Sequence, residues 1–510
     1  MKEQIVNIIN FIRGVEPRYS VDLPLPVAEQ IKLIDKYNFK ATFLVQYDAL
    51  IMPEFQALLK NLDTERYEIG LWYEIVQPLC EKCGIEWTGR YPWDWHCHCG
   101  FSVGYTKPQR EKLADEAFAE FKKVFGYYPK AFGSWLYDSH TVRYICDKYE
   151  IDALCNCKEQ FGTDGYTLWG GYYGQGYYPS RKNVFMPAQN AENQIKVPLF
   201  RMLGSDPVYQ FDFGLDVQNG ASESQGVITL EPVYKYAGAN PRWVDWYLKE
   251  NFNGECLSFG YAQAGQENSF GWTAMKDGLE YQFSRFYELQ QQGSLIVEPL
   301  GATGRRYKSE YPVTPASAIT AHSAYDDAGK KSVWFSSRFY RTNLYLDDSV
   351  LRIRDLHLFS ENCADRYEDE VCTENCAVYE TLPVADGNRF SGSSIISGVY
   401  FEAENGEKLR FNDMKFTDCS AYAELFFDGE NPVRITLREK SMEISAEKAL
   451  VLRHATAPGA PLPKAELVSE KELAVEYNGC RYSVTLSFGS FRDPFTLCTD
   501  NGKISALFNA

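Results

Sequence analysis

PVAEQIKLIDKYNFKATFLVQY (26–47) opens with a helical pattern over 26–37 and ends in an apolar run, ATFLVQY (41–47), with strand character. The same unit recurs on both sides. Strand-like runs lie at IVNIINFIRG (5–14), YEIGLWYEI (67–75), KAFGSWL (130–136), IDALCNC (151–157), KVPLFRML (196–203), CLSFGYA (256–262) and SLIVEPL (294–300). Helical patterns fall between them at 53–62, 107–126, 139–150, 240–252 and 271–292. Within 107–126, Leu113, Ala117, Phe121 and Val124 share one helix face. Strands alternating with helices imply a parallel sheet, and this number over 1–310 predicts an α/β fold of the (β/α)7–8 barrel type. The strands are almost continuously apolar, as strands covered on both faces are.

Beyond about residue 310 the texture changes. Short alternating runs appear, among them KSVWFSSRFY (331–340), VLRIRDLHLF (350–359), PVRITLREKS (432–441) and RYSVTLSFGS (481–490). No long helical pattern remains, which predicts a C-terminal antiparallel β-sandwich over 311–510. The boundary is expected within TGRRYKSEYPVTPAS (303–317).

The 510 residues carry 52 Lys and Arg against 69 Asp and Glu, a formal charge of −17. That balance argues against a nucleic acid or an anionic membrane as partner, since both need clustered positive charge. Aromatic residues make up 15% of the chain, which suits flat platforms for ligands with apolar faces. No apolar window is long enough to span a bilayer, and the N-terminus has no small-residue cleavage site, so a cytoplasmic location is expected. The fourteen cysteines are then expected as free thiols or metal ligands. A homo-oligomer is left open.

LIDKYNFKATFLV (33–45), YEIGLW (67–72), KKVFGYYPKAFGSW (122–135) and ICDKYEIDAL (145–154) together resemble, in order and spacing, the glycoside hydrolase/deacetylase barrel superfamily that includes the NodB-type polysaccharide deacetylases. Those deacetylases hold a divalent metal with an Asp after strand 1 and two His after strand 3. Here strand 1 runs into RGVEPR (13–18), and the His positions hold Trp72 and Val76. Neither side chain can coordinate a metal. The resemblance therefore implies the metal-free glycosidase branch, working with two carboxylates on a carbohydrate and needing no catalytic cofactor. The alternatives are an inverting sialidase-like enzyme using an acidic residue and a His, with Arg18, Arg181 and Arg201 meeting a sugar carboxylate, and a degenerate sugar-binding or deacetylase-like barrel.

Active sites of such barrels lie at the C-terminal strand ends. Glu16, Glu74 and Asp138 are the expected catalytic carboxylates, because glycoside hydrolysis needs one acid and one base or nucleophile. The competing readings are an ion pair of Glu16 with Arg13 or Arg18 and a helix N-cap for Asp138. Asp48, Trp72, Trp135, His140, Asp164 and Asp206 are expected to line the substrate site. The loop 160–195, with GYTLWGGYYGQGYYPSR (165–181), is expected to roof it with Trp169, Tyr173 and Tyr178. In the insertion 76–106, Cys80 and Cys83 followed by Cys97 and Cys99 suit a tetrahedral structural zinc ion. Cys363, Cys372 and Cys376 have no evident fourth partner.

Overall fold

The structure, a computed structural model, describes residues 2–157, 159–163, 166–213 and 226–509. Among the described residues eight strands run parallel: β1 (Gln4–Ile12), β2 (Ala41–Val45), β3 (Tyr67–Trp72), β4 (Ala131–Gly133), β5 (Ala153–Asn156), β6 (Leu199–Arg201), β7 (Gly260–Ala264) and β8 (Ile296–Val297). Each coincides with one of the eight apolar runs. Every residue of β1 is buried, because helices cover one face and the sheet's own concave core the other. The strands pair in the order β7-β1-β2-β3-β4-β5-β6, and β8 lies against Ile5 and Val6 of β1. Among the described residues no ladder joins β6 to β7. The expected closed barrel is therefore a curled, open parallel sheet. Its β6 flank is paired instead by a short antiparallel strand, Gly176–Tyr177.

Helices α1 (Pro24–Tyr37), α2 (Pro53–Leu59), α3 (Lys107–Phe125), α4 (Ser139–Lys148), α5 (Pro241–Asn251), α6 (Trp272–Gln291) and α7 (Leu300–Glu310) match the remaining expectations and add one. α3 starts in a Thr106–Gln109 capping box and stops at Gly126, whose φ of 85° ends the helix at little steric cost. α7 was not expected, and it decides which face of the sheet is open. Leu300 N–H donates to Thr42 Oγ1 at 2.9 Å, Gly301 N–H to Glu68 Oε2 at 2.9 Å, and Lys308 Nζ to Ile151 O at 2.6 Å. Those acceptors sit at the starts of β2, β3 and β5, so α7 plugs the N-terminal mouth and chemistry is left to the other end.

From Ser317 the chain forms two antiparallel sheets of nine and eight strands. Ile353, Leu356 and Leu452 of the first meet Val475, Val484 and Ile504 of the second, as the expected sandwich requires. The first sheet is buried on both faces, as along Tyr340–Asp347. The second alternates buried and exposed, as along Phe411–Asp418. The difference arises because loops of the parallel-sheet segment cover the first sheet's outer face. Cys363, expected as a free thiol, is joined to Cys480 in a disulfide. No helix among the described residues is long and apolar enough to cross a membrane.

Candidate functional site

Arg13 emerges directly from β1. Its Nη2 lies 3.0 Å from Glu74 Oε1 and its Nη1 3.0 Å from Glu267. The three side chains come from the ends of β1, β3 and β7 and are only 2–3% exposed as residues. Two buried carboxylates so close together need a shared cation, and the guanidinium supplies one donor edge to each. The ring of Trp93, from the 76–106 insertion, packs 4.0 Å beneath Arg13, and its Nε1 donates to Glu74. Ser269 Oγ donates to Glu267. Burial pushes the Glu74 carboxyl above its ordinary range, while Arg13 and Trp93 pull it back only in part.

Beside this triad opens a cleft lined by Arg13, Arg18, Trp135, Gln160, Leu203, Val227, Glu231, Tyr234, Glu267 and Phe270. Each follows the C-terminal end of β1, β4, β5, β6 or β7. Two carboxylates, Glu231 and Glu267, face one space with three aromatic rings and two arginines. Leu203 holds a φ of 80°, rare for a branched residue and costing roughly 1–3 kcal/mol. A hydrogen bond from Leu230 N–H to its carbonyl at 3.1 Å pins it. Strain of this kind concentrates at binding sites.

The expected site residues divide. Arg18 and Trp135 line the cleft, Glu74 lies behind it on Arg13, and Trp72 packs with Phe11 and Trp135 in one aromatic group, Phe11–Trp72 centroids 4.1 Å apart. Glu16 makes the ion pair with Arg18, at 2.6 Å. Asp48 is buried behind the mouth, accepting from Ala49 N–H at 2.7 Å. Asp138 caps α4, accepting from Thr141 N–H at 2.8 Å and pairing with Arg110 at 2.9 Å. Asp206 holds a turn by accepting from Val208 and Tyr209 N–H, both at 2.8 Å. His140 pairs with Glu111 and Arg181 with Asp147, both away from the cleft. Arg201 is buried, donating to the Cys157 and Tyr172 carbonyls, so Arg18, Arg181 and Arg201 do not converge on one sugar carboxylate. Asp164 lies outside the described residues.

Three rings of the aromatic loop turn away from the cleft. Tyr173 stacks on Trp334 of the sandwich with centroids 3.6 Å apart, Trp169 Nε1 donates to Asp386 at 2.7 Å, and Tyr178 Oη donates to Tyr311 O at 2.8 Å. These rings bury their apolar faces against the second domain, which outcompetes an exposed roof. The four cysteines do not gather either. Cys80 Sγ lies 3.4 Å from Tyr105 Oη, Cys83 donates to Lys112 O and Cys99 to His96 O, while Cys97 meets the sandwich domain. Burial raises the thiols of Cys80 and Cys83 to about 11 and that of Cys99 to about 12.

One group of metal-capable atoms does converge among the described residues: Asp355, His357 and Asp386, all fully buried. His357 Nδ1 lies 3.1 Å from Asp355 and Nε2 3.5 Å from Asp386, and one ligand atom from each of the three residues lies within 4.8 Å of the others. Arg341 already sits on both oxygens of Asp355, at 2.9 and 2.8 Å. The group is an ion-pair network between the aromatic loop and the sandwich.

Asp365, missed in the sequence, accepts from Tyr367 N–H at 2.8 Å and Ser139 N–H at 3.3 Å beside the charged Asp138. Burial, then Asp138, raises its carboxyl to about 7. The folded state therefore holds a proton that the unfolded chain, near 3.8, has lost. That stabilisation is complete below pH 4 and disappears as pH rises through 7. Asp365→Asn is expected to flatten this slope and to raise stability at pH 8 by roughly 1–3 kcal/mol. Parallel urea titrations of both proteins from pH 4 to 8 test it; equal slopes would refute the assignment.

No family model matches the chain, and no curated protein matches it. Among solved structures, one from Parabacteroides distasonis assigned as a glycoside hydrolase/deacetylase is 15% identical, with a TM-score of 0.52, over 70% of this chain and 85% of that one. A Mycobacterium smegmatis structure assigned as a polysaccharide deacetylase is 14% identical, with a TM-score of 0.36, over 61% and 91%. Only the first match, with a TM-score above 0.5, bears on architecture, and on architecture alone: the chain shares the fold of that Parabacteroides distasonis structure.

Proposed function

We propose that the chain is a carbohydrate-directed hydrolase, a glycosidase whose acid/base pair is Glu231 and Glu267. The observation that carries this reading is the pair of carboxylates facing one cleft at the C-terminal mouth, among Trp135, Tyr234 and Phe270. Aromatic rings suit the apolar faces of sugars, and Arg18 suits their hydroxyls. Glu267 bears the Arg13 ion pair, which suits a base or nucleophile. Glu231 is then the proton donor to the leaving oxygen. Glu74 acts through Arg13 as a positioning residue. Segment 1–310 is the catalytic unit and 311–510 its buttress. A metal-dependent deacetylase is the weaker reading, because Arg13, Trp72 and Val76 occupy the positions where ligands would be needed and offer no lone pair to a cation.

The test is incubation of the purified chain with aryl glycosides and with acetylated oligosaccharides. Cleavage of a glycosidic bond is the expected result. Acetate release with every glycosidic bond intact would overturn the proposal.

A further inference from the structure

We propose that the C-terminal sandwich holds a ligand site of its own between its two sheets, which takes a small apolar alcohol, its hydrocarbon part in the cavity there and its hydroxyl on His454. The cavity has a volume of about 80 Å³. One water needs roughly 10–15 Å³ of such space, so there is room for several groups of that size, the length of a short alkyl chain. Ile353 and Leu452 of the first sheet and Val475, Val484, Ile504 and Phe508 of the second line it. Protein interiors leave few voids larger than one water, so this space departs from ordinary sandwich packing.

His454 is the only lining residue with a nitrogen or oxygen in its side chain. Its strand, Val451–Ala455, alternates: Leu452 points into the cavity, Arg453 into solvent and His454 inward again. His454 Nε2 is buried and meets no hydrogen-bond partner among the described residues. Burial lowers the imidazole to about 4, so the ring is neutral at neutral pH. An unpaired polar nitrogen in an apolar wall is costly, and a hydroxyl relieves it because it can either donate or accept. A carboxylate would instead carry an unpaired charge into the same wall. A water is a poor substitute, since it needs about two to four polar partners and the lining side chains offer one.

The entry lies beside His454. Its N–H donates to Phe495 O at 2.8 Å, and the two rings are 6.0 Å apart. Phe495 follows Pro494 in the turn between the strands Ser490–Asp493 and Thr496–Cys498 and is 37% exposed. Leu462 and Pro463, also in the cavity wall, are half-buried. The apolar lining thus reaches the surface at these four residues. A ligand entering there with its alkyl end first leaves its hydroxyl at His454. The site belongs to the sandwich and stands whatever reaction the cleft performs.

The experiment titrates 1-hexanol into the full chain labelled at its isoleucine methyl groups. Ile353, Ile444 and Ile504 line the cavity. The expected result is a saturable shift of these three signals, while Ile8 of β1 and Ile69 of β3 stay fixed. His454→Phe keeps a ring and removes the nitrogen, and is expected to weaken binding about two- to tenfold, the loss of one hydrogen bond. Ala506 lies in the wall, so Ala506→Leu fills the space and is expected to abolish the shifts in a chain that still unfolds cooperatively. Shifts that never saturate, shifts spread over the isoleucines of both domains, equal affinity in His454→Phe, or undiminished binding in Ala506→Leu would each overturn the proposal.

Discussion

Glu267→Gln is expected to lower kcat by about 10²–10⁴-fold on any glycoside the protein cleaves, while Tm changes little. The same loss is expected for Glu231→Gln. Both carboxylates line the cleft, and glycoside hydrolysis needs an acid and a base or nucleophile on the same bond. The amide keeps the shape and hydrogen-bonding reach of the side chain but cannot take or give the proton. Glu74→Gln is expected to behave differently. It touches Arg13 and Trp93 rather than the cleft, so it loosens the guanidinium that orients Glu267. A smaller fall in kcat with a changed pH profile is the signature of that role. The measurement is kcat, KM and Tm for the three variants side by side. Near-normal kcat in Glu267→Gln would remove the carboxylate from the chemistry and with it the proposed mechanism.

The largest effect on stability is expected at Arg341. Its guanidinium is fully buried and donates to both oxygens of Asp355, to Glu159 at 2.6 Å and to Gly171 O at 2.9 Å. Through Asp355 it also supports His357 and Asp386, on which Trp169 is anchored. Arg341→Met leaves buried Asp355 without its guanidinium and leaves Glu159 with only Arg201, 3.7 Å away, which costs about 3–5 kcal/mol. The exposed pair of Arg434 and Glu424 provides the contrast. At 3.3 Å and largely in water, it should contribute less than about 1 kcal/mol. Urea unfolding of Arg341→Met and Arg434→Met measures both. Equal, small losses would mean that the two domains are held by packing alone and that the buried network contributes nothing net.

The secondary structure was legible because its signals are local. A helix face repeats within four residues and a buried strand is one apolar run, so neither depends on what lies far along the chain. Glu74 was legible for the same reason, as a carboxylate in an apolar strand that must find a partner. Asp138 carried both of its readings in WLYDSH (135–140), and the structure realises the helix cap. Glu231 left no such mark. It lies in ITLEPVYKY (228–236), where no periodicity points to a strand end.

By itself, then, the sequence determined the order of the parallel strands and of the helices between them, the change to antiparallel strands in the C-terminal part, and the strand ends from which polar groups could reach a site. Only the tertiary structure decided which of those groups meet. Arg13 joins Glu74 across 61 residues and Glu267 across 254. The aromatic loop, rich in rings by composition, belongs to the interdomain core because Trp334 and Asp386 offer its rings more burial and a better hydrogen bond than an open cleft would. The physical reason is range. Periodicity records which face of a segment is covered, whereas ion pairs and ring stacks depend on partners that folding alone brings within a few ångströms.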